Sequence, residues 1–196
     1  MKKIINFLIV LMVFSLAFTP SASAWTWKTH SDIVDNVYYS MPANVKSKLN
    51  LNIMRDGSND PDEKFHDMRS HSYPGSYKKA NTWLNKGKAA YRSGNYRYAS
   101  YCFGVASHYI SDTFSAPHCV SGEKSSQHSA YENQAKYLKP SVWYTGGSLK
   151  SNMLYGYKSG KISWKNWSKS KNKKTVQNDL NRATVVTYSA IRGCVY

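Results

Sequence analysis

Apolar positions along this chain recur at intervals of three and four residues, and no strand pairs or internal repeats stand out. Ile33, Val34, Val37 and Tyr38 form a helical stripe over 29–39, with Thr29 and Ser31 as candidate N-caps and Pro42 beyond the end. Residues 43–49 fit a short helix. A second long helix, 77–91, puts Ala80, Trp83 and Leu84 on one face and is broken by Gly94 and Asn95. The longest stretch is 96–114, with Tyr98, Tyr101, Cys102, Val105, Tyr109 and Ile110 at helical spacing and Pro117 past its end. Residues 127–138 give another helix, stopped by Pro140, and 175–192 a last one with Gly193 at a C-cap position. Between these, 56–67 reads as an acidic loop turning at Asn59, Asp60 and Pro61. Residues 150–174, rich in Lys, Ser, Tyr and Trp, read as a solvated basic stretch. The pattern predicts an all-α fold, a single helical domain over 25–196.

The first 24 residues follow another pattern. Lys2 and Lys3 precede an apolar run from Ile4 to Phe18, interrupted by Asn6 and Ser15, and then small residues ending at Ala24. That is a signal peptide with cleavage after Ala24, too short and wrongly flanked for a membrane span of about 20 apolar residues. The expectation is a secreted or cell-surface protein beginning at Trp25.

Charge narrows the partners. Removing Lys2 and Lys3 takes the formal charge from +16 to +14, a field that favours phospholipid surfaces, nucleic acid or anionic wall polymers. Cys102, Cys119 and Cys194 in an oxidising compartment lead one to expect one disulfide and one odd thiol, with the pairing open. No two are close enough in sequence for a zinc knuckle.

Candidate chemistry lies in the histidines. His108 and Asp112 stand four apart on the longest helix and share a face; His128 and Glu132 repeat that spacing on the next. His118, just after Pro117, is placed to fold back toward the same site. Imidazole and carboxylate donors that converge in this way suit zinc. Asp56, Asp60, Asp62, Glu63 and Asp67 crowd five of the eleven acidic residues into one segment of a basic protein, which is costly unless cations offset it. An acidic segment of this kind also suits calcium.

The run His108, Tyr109, Asp112, Pro117, His118, followed after a gap by His128 and Glu132, resembles the zinc-dependent phospholipases C. Their signature is His-Tyr-x-x-Asp, six residues to a His, then a gap to His-x-x-x-Glu. Family members begin, after processing, with a Trp whose amino group and carbonyl bind zinc, followed soon by a His; Trp25 and His30 fit those positions. A loop Asp and a following His look like Asp62 and His71. Similarity covers 25–135 and implies three zinc ions on nine ligands. Trp25, His30 and Asp112 would hold one. Asp62, His71, His108 and the bridging Asp112 would hold a second, and His118, His128 and Glu132 the third. Asp60 and Asp56 are substitutes for Asp62, and His66 has no assignment. The resemblance further implies that Asp62 acts as the base that deprotonates or orients the attacking water.

The function implied is phosphodiester hydrolysis, foremost phospholipase C action on phospholipid headgroups. Glu132 favours it over the related zinc nucleases and 3′-nucleotidases, which usually end in His-x-x-x-Asp. The short Trp25 to His30 spacing is similar to theirs, and Trp164, Trp167 or tyrosines could stack bases. A third reading is a non-catalytic basic zinc protein that adheres to anionic polymers through 155–174.

Overall fold

The computed structural model describes residues 25–196, and the expected signal peptide, 1–24, lies outside the described residues. The described residues are helical, with no strand. In chain order the helices are α1 (Trp27–Ser40), α2 (Ala43–Lys46), α3 (Leu51–Glu63), α4 (Gly75–Arg92) and α5 (Tyr96–Asp112). A 3-10 turn (Ala116–Cys119) follows, then α6 (Ser125–Ala135), α7 (Leu149–Ser170) and α8 (Lys173–Val195). None of them is long and apolar enough to cross a membrane.

Helix α5 is the axis of the molecule. Residues 102–112 are all buried, so it is covered on every side rather than along one stripe. Helices α1, α3, α4 and α8 supply that cover. Tyr98, expected in the apolar stripe, is exposed near the helix start instead.

The acidic segment is not a loop. Asn50 accepts the Ile53 amide and starts α3, which runs through Gly57, Asn59 and Pro61 to Glu63. Packing on α5 overrides the local turn signals. Gly57 faces the Tyr101 carbonyl and Gly104 faces Met54, so the two backbones touch without intervening side chains. A Cβ on Gly104 would overlap the Met54 carbonyl. Gly104→Ala is therefore expected to destabilise the fold by roughly 1–3 kcal/mol, read as a lower urea midpoint.

The basic stretch is also helical. Helix α7 buries Met153, Gly156, Gly160, Ser163 and Trp167, a stripe of small and large residues at intervals of three and four. Gly156 lies against the Phe114 ring and Gly160 against Cys119, which seats α7 on the 3-10 turn. Lys171, left-handed at φ 52°, ends it, and Asn172 caps α8. Gly193 does not stop α8, which continues to Val195. Helix α1 likewise starts earlier than expected: Thr26, not Thr29 or Ser31, is its cap.

No disulfide forms. Cys102, Cys119 and Cys194 are free and sit on α5, the 3-10 turn and α8. Burial pushes the Cys119 thiol up to about 12 and that of Cys194 to about 11, so neither supplies a thiolate near neutrality.

Asp179 ties α6, α7 and α8 together. Its buried carboxylate accepts hydrogen bonds from Tyr131 at 2.7 Å, Ser163 at 2.9 Å and Arg182 at 3.4 Å. Burial outweighs these donors and raises its pKa from 3.8 to about 6. The folded state thus holds that proton more tightly than the unfolded chain, and its stability falls as pH rises from about 4 through about 6, by on the order of 3 kcal/mol. Urea unfolding across this range is expected to show the loss in the wild type and a flatter profile in Asp179→Asn.

Candidate metal centre

Six parts of the chain deliver the site. Capping by Thr26 puts His30 in the first turn of α1, and the last turn of α3 carries Asp62. His71 lies on the connection between α3 and α4, and His108 and Asp112 close α5. His118 is on the 3-10 turn, and His128 and Glu132 are one turn apart on α6.

These side chains converge as three groups: His30, His108 and Asp112; Asp62, His71 and His108; His118, His128 and Glu132. Within each group the donor atoms lie within 4.8 Å of one another. Asp112 joins the first two. Its Oδ1 is 3.4 Å from His30 Nε2, while its Oδ2 is 3.0 Å from His108 Nε2 and 3.4 Å from His71 Nδ1. Asp62 Oδ1 is 3.3 Å from His71 Nε2 and 3.6 Å from His108 Nε2. In the third group Glu132 Oε1 is 2.7 Å from His128 Nε2 and 3.8 Å from His118 Nε2. His108 falls in two groups, but with Nδ1 bonded to the Ser58 carbonyl its Nε2 lone pair serves a single ion.

The donors fit a cation. His30 Nε2, His71 Nε2, His108 Nε2, His118 Nε2 and both Asp112 oxygens are buried with no hydrogen-bond partner among the described residues. So many orphaned polar atoms in one place are costly unless an ion binds them. At three of the grouped histidines the other ring nitrogen has a partner. His108 Nδ1 donates to the Ser58 carbonyl at 2.8 Å and His30 Nδ1 to the Ser111 hydroxyl at 3.1 Å, since that hydroxyl itself donates to the His108 carbonyl. His128 Nδ1 faces Glu123 Oε1 at 3.3 Å. These contacts fix the tautomer that leaves Nε2 with its lone pair inward.

The charge balance agrees. Burial opposes ionisation of Asp112, but His108, His30 and His71 outweigh it and hold the carboxyl well below its usual range. Burial, then His108, pushes His30 down; burial likewise pushes His71 down. Burial opposes the charged forms of His108 and His128, but His108 is driven up because Asp112, Asp62 and the Ser58 carbonyl together outweigh it, and His128 because Glu132 and Glu123 do. His30 and His71 are thus biased toward the neutral imidazole that binds divalent metal, whereas a metal at His108 or His128 would displace a proton held there by the carboxylates.

Of the three candidate acids on α3, Asp62 enters a group and the others do not. Asp60 is buried on another face, accepting from Tyr101 at 2.8 Å and paired with Lys64 at 3.0 Å. Asp56 is exposed. Asp67 pairs with Lys79 at 2.8 Å and accepts from Ser70 and Tyr109. The acids point apart, so they do not form the calcium loop considered from sequence. His66, outside every group, holds the Asp62 carbonyl at 3.2 Å.

Trp25 lies next to the site. Its indole is fully buried, donates to the Ser111 carbonyl at 2.9 Å and packs on Tyr131 at 5.5 Å, so its anchors precede Asp112 and Glu132 by one residue each. The supporting groups Ser58, Ser111 and Glu123 carry no periodic or motif signal, and sequence reading missed them. Trp167, a candidate stacking surface, is fully buried, and Trp164 is half-buried against it. The adhesive stretch proposed for 155–174 is accordingly part of α7 and its end, not a free basic loop.

No curated protein and no solved structure matches the chain. A family profile described as zinc-dependent phospholipase C matches residues 29–195, a span that includes every His and acid of the three groups. Placed beside the all-helical fold, that match means the chain belongs to the zinc-dependent phospholipase C family.

Proposed function

We propose that this protein is a secreted phospholipase C that holds three zinc ions and cleaves the phosphodiester of a phospholipid on its diacylglycerol side. The observation that carries the reading is Asp112, whose two oxygens face His30 on one side and His71 and His108 on the other. Zinc supplies Lewis acidity toward phosphate oxygens and toward water. His30 and Asp112, with the Trp25 amino group, would hold the first ion. Asp62, His71 and His108 would hold the second, with Asp112 offering its other oxygen. His118, His128 and Glu132 would hold the third.

The remaining chemistry belongs to the chain. His118 is the least buried of the grouped histidines, its side chain 11 % exposed, so the third group lies nearest to solvent. Asp62, on the last turn of α3, takes the proton of the attacking water. In Asp62→Asn with zinc retained, activity is expected to fall; unchanged activity would remove that role.

Cleavage after Ala24 and export complete the reading. The test is a panel on protein beginning at Trp25: phosphatidylcholine-type lipid, single-stranded DNA and 3′-nucleotides. Lipid turnover abolished by a chelator and restored by zinc is expected. Turnover of DNA or 3′-nucleotides instead would install the nuclease reading, and zinc binding without any turnover would make the metal structural.

A further inference from the structure

Phe65 and Met68, each 40 % exposed, stand on the segment that joins Asp62 to His71. Phe65 stacks on Trp83 of α4, centroids 5.9 Å apart and planes 9° apart. Lys79, Trp83 and Lys86 share one face of α4 by their spacing, and Lys86 Nζ lies 4.3 Å from the Trp83 ring centre. Arg69 is exposed on the same segment. Asp67 adds no free negative charge, because Lys79 pairs with it and Tyr109 donates to it.

Phe65, Met68, Arg69, Lys79 and Trp83 line a groove of about 380 Å³ that the buried Tyr109 also lines, and Lys86 stands beside it against Trp83. The far side of the Tyr109 ring meets His108 at 5.4 Å and His71 at 6.4 Å, edge on. An occupant of the groove is thus one aromatic ring from the metal centre. His66 shapes the rim: left-handed at φ 48° and bonded to the Asp62 carbonyl, it turns the chain as α3 ends.

We propose that this face docks the protein on an anionic lipid surface, with Phe65, Met68 and Trp83 entering the interface and Lys86 and Arg69 meeting the headgroups. The proposal rests on the phospholipase reading. Apolar side chains flanked by cations suit a membrane interface, where acyl and headgroup contacts add. The charge of +14 left once Lys2 and Lys3 are taken from the +16 of the full sequence favours an anionic surface over a neutral one.

Cosedimentation of zinc-loaded protein with phosphatidylglycerol or phosphatidylcholine vesicles tests this. The wild type is expected to bind phosphatidylglycerol vesicles more strongly, with salt weakening the binding. Phe65→Ser combined with Met68→Ser, and separately Lys86→Glu, should each lower that binding at least about fivefold. Zinc content and turnover of a short-chain phospholipid below its micellar concentration should stay at wild-type values. Equal binding of wild type to both vesicles, unchanged binding by the variants, or loss of self-association in place of lipid binding would overturn the proposal. Variant-sensitive vesicle binding with no turnover of the monomeric lipid supports docking and defeats the phospholipase reading alone.

Discussion

Asp112→Asn is expected to lower bound zinc from three ions to one and to cut phospholipid turnover by at least about 10³-fold. Asp112 is fully buried at the end of α5, and its oxygens face His30, His71 and His108 at 3.0–3.4 Å. An amide keeps the size but offers one neutral oxygen, so neither of the two joined groups retains an anionic bridge. The group formed by His118, His128 and Glu132 lies on other elements and should keep its ion. Elemental analysis separates this outcome from unfolding, which would release all three. Zinc also stabilises the fold by mass action, about 2.7 kcal/mol per site at a hundredfold excess over Kd, so the rise in Tm on adding zinc should shrink in the variant. Three ions retained, or turnover within tenfold of wild type, would remove Asp112 from the bridging role.

The sequence disclosed this centre where ligands share a helix. A period of 3.6 fixes His108 over Asp112 and His128 over Glu132 whatever the rest of the fold does. Contacts between elements were less legible. On a helix, Asp60 and Asp62 point about 200° apart, but that distinction exists only once α3 is known to be helical, and Gly57, Asn59 and Pro61 spell a turn locally. What overrules them is the glycine contact with α5, a long-range fact. Helix α7 was hidden for a related reason. Its buried face uses Gly156, Gly160 and Ser163, which fit against Phe114, Cys119 and Asp179 by being small or polar, and a hydrophobicity pattern gives them no weight. Ser58 supports His108 through a backbone carbonyl, which any residue type would supply.

Protein beginning at Trp25 is expected to bind one more zinc than protein that keeps the Ala24–Trp25 peptide bond. An amine coordinates as its free base, and the α-amine pKa of about 7.7–8.0 leaves part of it in that form at neutral pH. The same nitrogen in an amide has no lone pair to give. Trp25 is held in place for this role: its buried indole donates to the Ser111 carbonyl at 2.9 Å and packs on Tyr131. One residue beyond those anchors lie Asp112 and Glu132, and His30 follows in the first turn of α1. Native mass spectrometry of the two forms reads the difference, and equal zinc content would exclude the amine as a ligand. Proton competition adds a second readout. Affinity at the first group should fall as pH drops below about 8, because the amine protonates, and N-terminal acetylation should remove both that ion and its pH dependence. Trp25→Phe keeps the amine while losing the indole hydrogen bond, so it should retain three ions at high zinc and release the first more readily on dilution. Removal of the leader would then complete the metal centre, and a precursor with the peptide bond intact would remain catalytically incomplete.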